Sequence, residues 1–221
     1  MFRLENYMND LIRMLQQRLG DKLLYVGLQG SYLRNEATED SDIDVMVLVD
    51  DLSIKDLDVY RETIAELVDY EKSCGFICGK AEFEKWNPLE LSHLLHSTKD
   101  YYGKLSEYIP QYSEQDIINF IKLSLGNLYH EICHRYIHAD REKNIKKLPS
   151  AYKSVFFILQ NIYFIKTGIF CITKKELMTQ LDARDRKILN ISMQINGDSD
   201  YNFDEAFDSL FMWCQRTLSD L

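Results

Sequence analysis

The chain has 221 residues, 46% hydrophobic and 28% charged, a composition that suits one large folded domain or two small ones. Its 35 acidic against 26 basic residues leave a formal charge of −9, which disfavours nucleic acid as the main partner. Met1-Phe2-Arg3-Leu4-Glu5-Asn6 is not expected to be a signal peptide, and no apolar run approaches the roughly 18–20 residues that cross a bilayer. The five scattered cysteines, Cys74, Cys78, Cys133, Cys171 and Cys214, read as free thiols of a reducing cytoplasm.

Leu4, Met8, Leu11, Ile12, Leu15 and Leu19 share one helical stripe, and Gly20 can end that helix. Leu23 to Leu28 is an expected strand, followed by a Gln29-Gly30-Ser31 turn. Ile43, Val45, Val47 and Val49 alternate with Asp42, Asp44, Met46 and Leu48, the period of a second strand. A helix is expected from about Lys55 to Lys72 and a strand over Cys74 to Cys78. Asn87-Pro88-Leu89-Glu90 has the cap, proline and acid of a helix start, and Tyr101-Tyr102-Gly103 reads as a packed turn. After Pro110 only helical patterns remain. Ser113-x-x-Asp116 caps a long helix to about Ala139, Pro149-Ser150 starts one ending near Gly168, Thr173-x-x-Glu176 opens a third, and a last covers about Asp204 to Leu218. The expected architecture is an α/β domain with a mixed sheet over residues 1–110, then an all-α helical bundle over residues 111–221.

The chemistry concentrates between Gly30 and Val45. Asp42 and Asp44 lie two apart on a strand, so both carboxylates project from one face. Such a pair repels itself unless a cation sits between its members. Mg²⁺ suits it, because that ion takes hard oxygen ligands and shares them with substrate phosphates. Gly30 lets the backbone approach a ligand, and the Ser31 hydroxyl with nearby N–H groups can hold phosphate oxygens. If the two strands are neighbours, phosphate cradle and metal site face each other, as in-line phosphoryl transfer requires.

A strand, Gly30-Ser31, a spacer of about ten residues and then Ser41-Asp42-Ile43-Asp44-Val45 resembles the signature of the DNA polymerase β-like nucleotidyltransferases. With a helical second half, the chain is similar to the kanamycin, lincosamide and streptomycin enzymes of that superfamily. The resemblance implies Asp42 and Asp44 as catalytic Mg²⁺ ligands, and Gly30, Ser31 and Ser41 in nucleotide binding. It also implies a lysine on the triphosphate, for which Lys174 and Lys153 are the candidates, and a nucleoside triphosphate donor, usually ATP. The acceptor implied is the hydroxyl of a small molecule, antibiotics included, and some relatives build the cleft from a homodimer. The general base would come from the first long helix of the second domain, where Glu131 falls and His130 is its rival, since imidazole chemistry suits proton abstraction near neutrality. Many members carry a third carboxylate on a later strand. Residues 74–79 hold none, and Glu82 and Glu84 lie beyond them.

Two other readings compete. His130-Glu131-Ile132-Cys133-His134 fits the H-E-x-x-H pattern of zinc peptidases, but a third ligand is required. His138 cannot readily supply it, because three histidines at i, i+4 and i+8 spread over roughly 12 Å of helix axis. The other is an interaction protein of antitoxin or regulatory type built on a catalytically degenerate transferase fold, which the missing third carboxylate favours.

Overall fold

The alternation from Ile43 to Val49 becomes the second strand of a four-stranded mixed sheet. A computed structural model describes residues 3–195 and 201–221. The chain divides into two compact units, Met1–Tyr112 and Ser113–Leu221.

In the first unit, α1 (Leu4–Leu19) leads to β1 (Leu23–Leu28), the single turn α2 (Gly30–Leu33) and β2 (Ile43–Val49). Then come α3 (Ile54–Ala65), β3 (Ser73–Gly79), the short α4 (Lys80–Phe83), α5 (Pro88–His96) and β4 (Lys99–Tyr102). The sheet order is β3-β2-β1-β4, with β2 antiparallel to β1 and parallel to β3, and β4 antiparallel to β1. Ile43, Val45, Val47 and Val49 pack with Tyr7, Met8, Leu11 and Leu15 of α1 on one side of the sheet. Met46 and Leu48 point the other way, onto Phe83 and Leu91. The two central strands are therefore buried on both faces, and polar side chains reach the surface only near strand ends.

The stripe of α1 and its stop at Gly20, where φ is 56°, follow the sequence pattern. The helix expected to run to Lys72 instead ends at Ala65, and Asp69 takes a left-handed turn (φ 64°) into β3. Leu67, inside the turn, is part of the core. Tyr101 and Tyr102, expected in a turn, lie on the edge strand β4.

The second unit consists of α6 (Glu114–His138), α7 (Arg141–Thr167), α8 (Lys174–Gln180), α9 (Ala183–Ile195) and α10 (Phe203–Asp220). Ser113 and Asp116 form the expected capping box of α6. That helix buries Ile117, Ile121, Leu125, Leu128 and Ile132 on one stripe, and α7 packs against α6, α9 and α10. Within this core Trp213 Nε1 donates to Asp185 at 2.9 Å, and the Tyr152 hydroxyl donates to the Ala206 carbonyl at 2.7 Å.

Helix α7 begins eight residues before Pro149, the expected start. Asp140 caps it, accepting from Lys143 N at 2.9 Å. A proline inside a helix removes the hydrogen bond to the carbonyl four residues back. Here that carbonyl belongs to Ile145, and the Tyr201 hydroxyl donates to it. A partner 56 residues away in sequence supplies the bond that Pro149 cannot make.

Among the described residues, no helix is long and apolar enough to cross a membrane.

Candidate active site

The turn after β1 is fastened to β2. Gln29 N donates to the Asp44 carbonyl at 2.8 Å, and the Gln29 side-chain amide donates to Thr98 Oγ1 at 2.8 Å. Gly30 follows with φ 70°, a conformation that a side chain strains. A Cβ at this position would lie 1.9 Å from Asp44 Oδ2. Glycine is therefore required twice over, by its dihedral and by the carboxylate beside it. Ser31 stands next in α2, half-buried, and its backbone carbonyl accepts from Glu36 N at 2.9 Å. Asp42, just ahead of β2, is exposed, and Asp44 is half-buried. Among the described residues, no basic side chain forms an ion pair with either carboxylate. Two carboxylates two residues apart, without a protein counter-charge, fit a hard divalent cation carrying phosphate oxygens.

Ser41 is committed locally: its hydroxyl accepts from Thr38 N at 2.9 Å and lies 3.2 Å from Thr38 Oγ1. These bonds hold the loop that delivers Asp42 to β2.

Strand β3 explains the missing carboxylate. Its parallel register sets Cys74 directly beside Asp44 and Gly75 beside Val45. Partial burial, then the neighbouring Asp44 and Asp42 carboxylates, push the Cys74 thiol pKa up. Gly75, with φ 115°, has no Cβ to strike the Val45 carbonyl, which would be 1.9 Å away. A thiol thus stands where a third acid on this strand would stand. Glu82 does not substitute for it. Its carboxylate lies against Gly79, which pairs with Val49 at the far end of β2, roughly 17 Å along the strand from Asp44. Asp100 on β4 is occupied too, accepting from the Tyr25 hydroxyl at 2.7 Å in the space that Gly27 leaves open. The position of Cys74 escaped the sequence reading, which located β3 but had no means of setting its register.

Against known families, residues 8–101 match the model described as a nucleotidyltransferase domain. The matched residues make up most of the first unit. The match runs from within α1 to within β4 and encloses the Gly30-Ser31 turn, Asp42 and Asp44. A candidate protein adenylyltransferase from Methanocaldococcus jannaschii is 32% identical over 68 residues, 29% of this chain and 46% of the relative. The chain thus spans about half the length of that relative. A spectinomycin adenyltransferase from Enterococcus faecialis, solved with ATP and spectinomycin, superposes over 96% of this chain and 100% of its own with a TM-score of 0.57. At 15% identity that likeness establishes a shared fold. A toxin-antitoxin structure solved with AMP-PNP is 20% identical, covering 59% of this chain and 93% of its own, with a TM-score of 0.33.

The remaining candidates lie on the second, helical unit. His130 and Glu131 are both exposed on α6, and Glu131 Oε1 accepts from Arg135 Nε at 3.2 Å. Lys153 is exposed on α7. Lys174, the first residue of α8 after its Thr173 cap, is half-buried, with its ammonium 5.8 Å from the Phe156 ring centre. Phe156 is three residues beyond Lys153, so both candidate lysines border the same stretch of α7. Among the described residues, no three or more His, Cys, Asp or Glu side chains gather where they could hold a metal. The H-E-x-x-H peptidase reading lacks its third ligand on that account.

Proposed function

We propose that this protein transfers AMP from ATP to a hydroxyl group of a small-molecule acceptor and releases pyrophosphate. The observation that carries the reading is the seating of Gly30 against the Asp44 carboxylate. It joins the turn after β1 to an Asp42/Asp44 couple that has no basic ion-pair partner among the described residues, within the stretch that matches a nucleotidyltransferase domain. Asp42 and Asp44 would hold Mg²⁺, which would supply neutralising charge for the triphosphate. Gly30 brings its backbone close to the phosphates and Ser31 offers a hydroxyl to them, while Ser41 keeps the Asp42 loop in place. Lys174, with Lys153 beside the same segment, supplies positive charge to the triphosphate. The acceptor oxygen attacks the α-phosphorus in line, the bond to the β-phosphate oxygen breaks, and the hydroxyl proton passes to the base.

Of the two bases, His130 is favoured, because Glu131 is engaged by Arg135. Catalysis rests mainly on positioning and electrostatics, as expected of phosphoryl transfer. A second reading, a transferase fold retained for interaction, draws support from the thiol at the third-acid position.

Pyrophosphate release from ATP with Mg²⁺, measured across aminoglycoside, aminocyclitol and lincosamide acceptors and a panel of proteins, tests the proposal. Acceptor-dependent release that Asp44→Asn abolishes supports it. Release driven only by protein acceptors moves the acceptor class to proteins. ATP binding with no release on any acceptor favours the interaction protein.

A further inference from the structure

The proposed function uses His130 but leaves the other two histidines of its run on α6, His134 and His138, without a part. His130, His134 and His138 are all exposed and follow one another at four-residue steps, so they share a face of the helix away from the buried Ile117–Ile132 stripe. The rings of His134 and His138 have centroids 4.7 Å apart, and those of His130 and His134 are 6.0 Å apart. With metal–nitrogen bonds of about 2.0–2.1 Å, imidazole centroids at right angles about one ion stand roughly 4.5 Å apart, and at a tetrahedral angle roughly 5.2 Å. The His134–His138 spacing falls within that window, and the His130–His134 spacing lies outside it. The intervening charge is compensated, since Arg135 is paired with Glu131 at 3.2 Å.

We propose that His134 and His138 form a two-imidazole site for a borderline divalent transition ion of the Cu²⁺, Ni²⁺ and Zn²⁺ class. Neutral imidazole nitrogen suits these ions, and the hard-oxygen pair Asp42/Asp44 suits Mg²⁺, so the chain carries two cation sites of opposite preference. Water completes the coordination, which sets the site apart from a closed structural zinc centre. Because both ligands come from one helix, the bound ion also clips the last turns of α6.

The test is calorimetric titration of Ni²⁺ into the full-length, tag-free protein in excess Mg²⁺; Ni²⁺ is chosen because it does not oxidise the exposed Cys74. One Ni²⁺ per chain is expected. His134→Gln and His138→Gln should each weaken it by about tenfold or more, the order of effect that loss of a ligand or its support produces. His130→Gln should weaken it less, and Asp42→Asn/Asp44→Asn should leave it unchanged. Equal Ni²⁺ affinity in wild type, His134→Gln and His138→Gln overturns the site. So does loss of Ni²⁺ binding in the aspartate double variant alone, or an effect of His130→Gln as large as that of His138→Gln.

Discussion

Asp42 and Asp44 reach one face of the first unit because a strand alternates its side chains. His130, His134 and His138 reach one face of the second because a helix returns every 3.6 residues. The difference lies in what each periodicity leaves undetermined. On α6 the face follows from the sequence spacing alone. On the sheet, spacing aligns the two aspartates but does not say what stands beside them. That depends on register between strands, and register brought Cys74 to Asp44 and Gly30 to the same carboxylate. The strand site is assembled from three separated stretches, whereas the helix site comes from a single one.

The two sites should therefore break differently. The largest effect is expected at the aspartates. Asp42→Asn or Asp44→Asn should lower transfer by about 10²-fold or more, in line with removal of a principal electrostatic group, with the fold intact by circular dichroism. A variant that keeps its rate removes that residue from the metal site.

Next is Gly30→Ala, which combines positive φ with a Cβ 1.9 Å from Asp44 Oδ2. It should cost about 1–3 kcal/mol in urea unfolding and abolish ATP-dependent stabilisation. Gly168→Ala makes the control, since its φ is 71° but no atom lies within 4 Å of its added Cβ. Equal penalties at the two glycines would show that the dihedral alone matters.

Cys74→Asp sharpens the contrast in the other direction. A third hard oxygen beside Asp44 should tighten Mg²⁺-dependent ATP binding by about tenfold, measured by calorimetry. Weakened binding would mean that repulsion among three carboxylates outweighs ligation.

In the second unit, Tyr201→Phe should cost about 1 kcal/mol by leaving the Ile145 carbonyl without its donor. The same change in a Pro149→Ala background should cost less, because residue 149 regains its own N–H. A double-mutant cycle reads the difference, and additivity would separate the two residues.

The smallest effect concerns acid. The Lys22 ammonium and the Ser53 hydroxyl hold the Asp56 carboxyl down to about 2. Its contribution to stability is complete above the ordinary carboxylate range and fades as pH falls from about 4 towards 2. The wild type should lose more stability than Asp56→Asn over that interval in thermal melts.

Much of this was legible in residues. The stripe of α1, the alternation of β2 and the caps at Ser113 and Thr173 are local patterns, and each element formed where its pattern placed it. Pro149 misled because a proline usually opens a helix, and nothing near it announces Tyr201 as the donor to Ile145. Edge strand β4 was hidden because Lys99–Tyr102 is short and gets its hydrogen bonds from β1. Gly30, Ser31, Asp42 and Asp44 were readable as a set because their spacing is the motif. Cys74 was not, because its part is defined by a neighbour on another strand.

The most direct test of the central claim is a thermal-shift titration of ATP, with and without Mg²⁺, on wild type and Asp42→Asn/Asp44→Asn. A nucleotide site of the kind described predicts a Tm that rises with ATP only when Mg²⁺ is present, by an amount set by ligand concentration over Kd, and no rise in the double variant. An equal rise in both proteins, or none in the wild type, would contradict it.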